Sequence, residues 1–205
     1  MQRQLYGFEK KFAKDVAFTP TQARDVCSDI LSAHPIAPGS RFHNQFYYEI
    51  YPITNIATYL GDDVIKVDYL GKEHPIDGQY YFADGSQSYI EMIVAIEGMQ
   101  DNFILKHLRR LGFIRPAQRS AEALIKLLHH AIIKKKKKSS RNSFYEDAFL
   151  GVVFNEQFFE PMTKSQLDQI CKTVLKRANG SKPFSRIFIL SLSSSYIFDS
   201  LCVEE

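Results

Sequence analysis

Asp77 and Glu91 stand 14 positions apart in a stretch that is otherwise largely apolar and aromatic. Pro75-Ile76-Asp77-Gly78 and Tyr89-Ile90-Glu91-Met92-Ile93-Val94-Ala95 read as two strands joined by a short turn at Asp84-Gly85. An unpaired carboxylate is costly to bury because it gives up its hydration. An acid among Tyr, Ile, Met, Val and Ala is therefore paired, protonated or bound to a metal ion. Only the last brings a chemistry. Carboxylates converging on Mg²⁺ let the ion polarise a scissile phosphate and lower the pKa of an attacking water. Mg²⁺ keeps several waters, so two or three acids suffice. Glu49, on a helix upstream, points at the same site if that helix packs on the sheet.

Each acid also has a plainer reading. Asp77-Gly78 is a common turn dipeptide. Glu91 suits a solvent-facing position on an edge strand, although its alternate neighbours Tyr89, Ile93 and Ala95 favour an interior face. Glu49 is the kind of acid any exposed helix face carries. The other chemical feature is positive charge. Lys134, Lys135, Lys136, Lys137 and Lys138 run consecutively, with Arg141 soon after, and Lys106, His107, Arg109, Arg110 and Arg115 form a second basic cluster. Such runs contact nucleic-acid phosphates with salt-sensitive affinity. Lysines also suit a helix end, where they oppose the negative pole of the macrodipole. The six histidines form no ligand set: His129 and His130 point about 100° apart on a helix, and His74, just before the Asp77 strand, reads either as a loop residue or as one that reaches the site. No Gly-rich phosphate loop, GxSxG elbow or HExxH motif is present.

The elements that must position these residues follow from pattern. Thr19-Pro20-Thr21-Gln22 opens a helix carrying Ala23, Val26, Cys27, Ile30 and Leu31. A second helix, capped by Ser40, carries Phe42, Phe46, Tyr47, Ile50, Ile53, Ile56, Ala57 and Leu60, with a kink expected at Pro52. Three strands follow, Val64 to Leu70, Ile76 to Phe82 and Ser88 to Ile96, joined by turns short enough for an antiparallel meander. Helices are expected over 99–111 and 118–137. Phe149 to Phe154 is an apolar run typical of a strand covered on both faces. Thr163-Lys164-Ser165-Gln166 matches a capping box. Ile187 to Leu192 is a further buried strand, and Tyr196 to Val203 an edge strand. A meander followed by a β-α-β crossover builds an α/β fold with one mixed β-sheet flanked by helices.

With 205 residues, 45% hydrophobic and 24% charged, the chain is long enough for one sizeable core and too apolar for disorder over most of its length. The expected organisation is a single α/β domain over 1–205, with an N-terminal helical extension (1–40) and a core (41–205). A net charge of +3 does not by itself imply a nucleic-acid partner. There is no signal-like N-terminus and no membrane-length apolar stretch. Cys27, Cys171 and Cys202 are odd in number and lack a CxxC pair, so each reads as a small buried hydrophobe in a reducing, cytoplasmic protein.

The acids and the element order together resemble the PD-(D/E)XK nuclease superfamily, whose core is α-β-β-β-α-β. Pro75-Ile76-Asp77 stands where the Pro-Asp element falls, with one residue inserted, and Glu91-Met92-Ile93 where Glu-x-Lys falls. The likeness covers about 42–192 and rests more on element order than on letters. It implies a restriction-endonuclease-like fold and a Mg-dependent deoxyribonuclease with Mg²⁺ (or Mn²⁺) held by Asp77 and Glu91. Glu49 would order a water or second ion. DNA would be met through Lys134–Lys138, Arg109 and Arg110, with no membrane partner and a homodimer allowed. Ile93 replaces the motif lysine. That puts activity in question unless Lys106 or Lys126, with Lys134 behind them, supplies the cation. The alternative is a catalytically inactive nuclease-like module that binds nucleic acid or a protein partner.

Overall fold

The computed structural model describes residues 18–33, 44–70, 74–96, 118–140 and 145–203. The fold is mixed α/β, and the chain divides into two compact units, Met1–Glu91 and Met92–Glu205. The expected 99–111 helix lies outside the described residues.

In the first unit, α1 (Pro20–Ala33) starts at a reciprocal cap. The Thr19 N–H donates to Gln22 Oε1 at 2.9 Å, and the Gln22 N–H donates to Thr19 Oγ1 at 3.2 Å. Its apolar stripe buries Ala23, Cys27 and Ile30. These pack α1 on the helix that follows and on the first strand. The second helix does not simply kink at Pro52. Phe46–Ile50 forms a π-helical turn, in which the Tyr51 N–H donates to the Phe46 carbonyl, and α2 (Tyr51–Leu60) continues from it with Pro52 in its first turn. Proline cannot donate to the carbonyl four residues back and crowds it, and a widened turn absorbs the mismatch.

The three strands form the expected antiparallel meander: β1 (Val64–Tyr69), β2 (Gly78–Phe82) and β3 (Gln87–Val94). The β2–β3 turn is the predicted one, with Gly85 at φ +85° and the Ser86 N–H donating to Asp84 Oδ1 at 2.8 Å. One face of the meander receives α2. Tyr80 donates from its hydroxyl to the Ile53 carbonyl at 2.8 Å. Thr54 joins Tyr69, Cys27 and the Ile50 carbonyl in one buried polar node. This node spends the polar atoms of α1, α2 and β1 on one another, as burial demands.

In the second unit, α3 (Ala121–Ser139) is capped by Ser120 and buries Leu124, Leu128, Ala131 and Ile132. Strand β4 (Phe149–Phe154) is buried along its whole length, as its continuous apolar run requires. Helix α4 (Lys164–Arg177) opens with the predicted capping box at Thr163 and Gln166 and packs on α3. It leads to β5 (Arg186–Ser191), which runs parallel to β4. The last strand, β6 (Ile197–Asp199), is antiparallel to β5 and shorter than expected, because the chain turns into a 3₁₀ segment at Ser200–Val203. Arg186 forms a bidentate ion pair with Asp199, which is 3% exposed. Cys202 falls on the 3₁₀ segment and is exposed, which corrects its expected burial; Cys27 and Cys171 are buried, and all three thiols are free. Among the described residues, no helix is long and apolar enough to cross a membrane.

Candidate functional site

Strand register decides which side chains share a face. In the meander, Val67 lies opposite Tyr80, Tyr80 opposite Ser88, Tyr69 opposite Gly78, and Gly78 opposite Ile90; this is the face that receives α2. The alternate residues pair on the other face: Lys66 with Tyr81, Asp68 with Gln79, Gln79 with Tyr89, and Tyr81 with Gln87. That second face is polar across all three strands. The antiparallel pattern continues past the end of β2, since the Leu70 N–H donates to the Asp77 carbonyl at 3.1 Å. The β2–β3 pairing ends at Gly78–Ile90, and alternation along β3 puts Glu91 on the polar face, with Asp77 just ahead of β2. Continued one step, the register would oppose Asp77 to Glu91, with Cβ atoms about 4.5–5.5 Å apart.

Glu91 is 7% exposed, and its Oε2 lies out of reach of solvent, although the face around it is polar. Asp77 and Glu49 are half-buried. All three acids interact with other groups of the chain. Beside Glu91 along β3, the Tyr89 ring stacks on His74 with centroids 6.1 Å apart. His74 in turn is fixed by its Nδ1 to the backbone of Ile76 at 3.2 Å. This loop histidine therefore borders the acid row. Farther along the face, Gln79 Nε2 donates to Gln87 Oε1 at 2.7 Å, the Tyr81 hydroxyl donates to Gln79 Oε1 at 3.2 Å, and Lys66 Nζ sits 4.3 Å above the Tyr81 ring.

Among the described residues, no group of three or more His, Cys, Asp or Glu side chains is arranged to hold a metal ion. Glu49, on the π-helical turn, therefore does not make a three-acid cluster with Asp77 and Glu91. The pair alone still suits Mg²⁺, which is commonly bound by one or two carboxylates and waters. Asp68, Gln79 and Gln87 share the polar face with Glu91 and are not among the residues singled out from the sequence. Their signal was the polar alternation of Lys66-x-Asp68, Asp77-x-Gln79-x-Tyr81 and Gln87-x-Tyr89-x-Glu91.

The candidate cations fare differently. Ile93, two residues beyond Glu91 in β3, is half-buried. Lys106, Arg109 and Arg110 lie outside the described residues. Lys126 is exposed on α3, in the second unit. The lysine run is not uniform: Lys134, Lys137 and Lys138 are exposed, while Lys135 is 8% exposed with its ammonium 5.8 Å from the Tyr145 ring centroid. Lys136 donates from Nζ to the carbonyls of Ala178 at 2.6 Å and Gly180 at 3.2 Å. Two of the five thus serve intrachain packing. No protein-family model, curated protein or solved structure matches the chain.

Proposed function

We propose that this chain is a metal-dependent, nuclease-like protein that hydrolyses phosphodiester bonds in DNA, built on a restriction-endonuclease-like variant of the α/β fold. The observation that supports the reading is the β2–β3 register, which, continued one step beyond Gly78 and Ile90, would oppose Asp77 to Glu91 on a polar sheet face. Asp77 and Glu91 would hold Mg²⁺ or Mn²⁺, which when bound supplies an activated water and a polarised phosphate. In this reading, burial of Glu91 keeps its carboxylate from swinging into bulk water, and the stacked His74–Tyr89 pair walls one side of the acid row. The exposed Lys134, Lys137 and Lys138 add backbone attraction for the nucleic acid. Three free thiols accord with a cytoplasmic setting.

A second reading is favoured by Ile93, which puts an apolar side chain where the motif cation belongs. It makes the chain a module that binds nucleic acid or a protein partner without cutting. One assay separates the two. Plasmid, single-stranded DNA and RNA are incubated with the protein and Mg²⁺ or Mn²⁺, beside Asp77→Asn and Glu91→Gln variants. The nuclease reading expects metal-dependent cleavage to be abolished or severely reduced by either substitution, since each removes a ligand of the ion. Cleavage that ignores both substitutions sinks it. Salt-sensitive binding with no cleavage favours the module.

A further inference from the structure

The second unit contains a cavity of about 880 Å³, lined by Ile133, Lys136, Lys137, Glu146, Ser181, Lys182 and the Pro183–Phe184 wall, among others. Its volume lies in the range of small-molecule sites, about 300–1,000 Å³. Three lysines face one carboxylate there. Lys136 has two of its three ammonium hydrogens committed to the Ala178 and Gly180 carbonyls, so its charge is largely spent on the end of α4. Lys137 and Lys182 are different. Both are exposed, and among the described residues neither ammonium has a carboxylate partner or a hydrogen bond.

The hydroxyls sort in the same way. Ser140 donates to the Lys137 carbonyl at 3.1 Å, and Ser185 donates to the Asp147 carbonyl at 3.1 Å. Ser181 is the lining hydroxyl whose proton is uncommitted. The turn that carries it is held in place beforehand. The Gly180 N–H donates to the Leu175 carbonyl at 3.1 Å, the Phe184 N–H to the Ser181 carbonyl at 3.0 Å, and the Ser185 N–H to the Ala148 carbonyl at 3.0 Å. A fixed turn, two uncompensated ammonium groups and one available O–H donor suit a phosphate, which takes charge-assisted hydrogen bonds on three oxygens. The cavity is much larger than a phosphate needs. Its remaining wall, Ile133, Pro183 and Phe184, is apolar, and Glu146 offers an acceptor for hydroxyl or amino groups.

We propose that this cavity binds a nucleoside phosphate, its phosphate on Lys137, Lys182 and Ser181 and its nucleoside along the Ile133–Pro183 wall. The site is lined by residues of the second unit alone and does not depend on the nuclease reading. Two sources present the same chemistry, a free nucleotide and the phosphorylated end of an oligonucleotide.

The test is calorimetric titration of the full chain, in low salt and without divalent metal, with AMP, adenosine, inorganic phosphate, and 5′-phosphorylated and 5′-hydroxyl oligonucleotides. AMP is expected to bind saturably, more tightly than adenosine or phosphate, and to weaken at least ~tenfold in the Lys137→Ala/Lys182→Ala double variant. Both lysines are exposed, so the variant is expected to melt like the parent. A Ser181→Ala variant weakening AMP but not adenosine assigns the phosphate end. Preference for the 5′-phosphorylated over the 5′-hydroxyl oligonucleotide identifies a nucleic-acid end as the source; AMP binding without it identifies the free nucleotide. The proposal is overturned by absence of saturable AMP binding, by AMP binding that survives the double substitution, or by phosphate alone binding as tightly as AMP.

Discussion

A methyl group at position 78 would meet the Asp68 carbonyl at 3.1 Å, Ile53 Cδ1 at 3.1 Å and Ile90 Cγ2 at 3.3 Å. Glycine at 78 is what lets α2 approach the meander immediately beside Asp77. Gly78→Ala is therefore expected to destabilise the fold by about 1–3 kcal/mol, the range for overpacking a filled core. Urea unfolding with an unchanged slope checks it, and a loss under about 0.5 kcal/mol contradicts it. The thiols give a second residue-level prediction. Burial pushes Cys27 up from 9.0 to about 11 and Cys171 up from 9.0 to about 12, whereas Cys202 is exposed. At pH 8 the native chain should titrate one thiol rapidly and all three only when unfolded. The stability consequence has a definite sign. These thiols stay protonated when folded but ionise when unfolded, so their contribution is full below pH 9 and is lost as pH rises toward about 11 and 12. Constant stability across that window in urea melts would contradict it. At this scale residue type alone singles out Asp77 and Glu91, as acids in a largely apolar stretch. It was misread at Lys135, although the positions of Leu124, Leu128, Ala131 and Lys135 already placed that lysine on the buried stripe of α3.

Among the elements, capping was legible because it is local. Thr19–Gln22 and Thr163–Gln166 each satisfy one another's backbone and side-chain groups within a single turn, so the residue types alone locate α1 and α4. Thr163→Ala is expected to cost about 1 kcal/mol, and Thr163→Ser much less, by thermal or urea melting. Equal losses for both would show that the hydroxyl is not what matters. The π-helical turn before Pro52 was not legible, because proline announces a disrupted bond but not how the backbone absorbs it. The end of β6 was missed for a related reason. Tyr196 to Val203 is apolar enough to read as a strand, but Asp199 is drawn into the ion pair with Arg186 and takes the Leu201 N–H at 3.1 Å, which turns the chain. The polar face of the meander was within reach of period-two alternation. The glutamines and tyrosines between the acids carry that alternation.

For the molecule as a whole, the α/β class and the order of meander, helix, strand, helix and strand follow from periodicity and turn chemistry, since those patterns are set by how each segment buries its apolar side. Function is legible only as far as a face can be assigned, and register does that work. The proposal that the chain handles phosphodiesters rests on Asp77 and Glu91 sharing one divalent cation. Mn²⁺ binding, followed by the loss of its free-ion EPR signal, tests this directly and without any substrate. The account predicts one Mn²⁺ per chain for the parent and none at the same concentrations for Asp77→Asn or Glu91→Gln, with both variants retaining the parent's circular dichroism. Undiminished binding in either variant, or no binding by the parent, would contradict it.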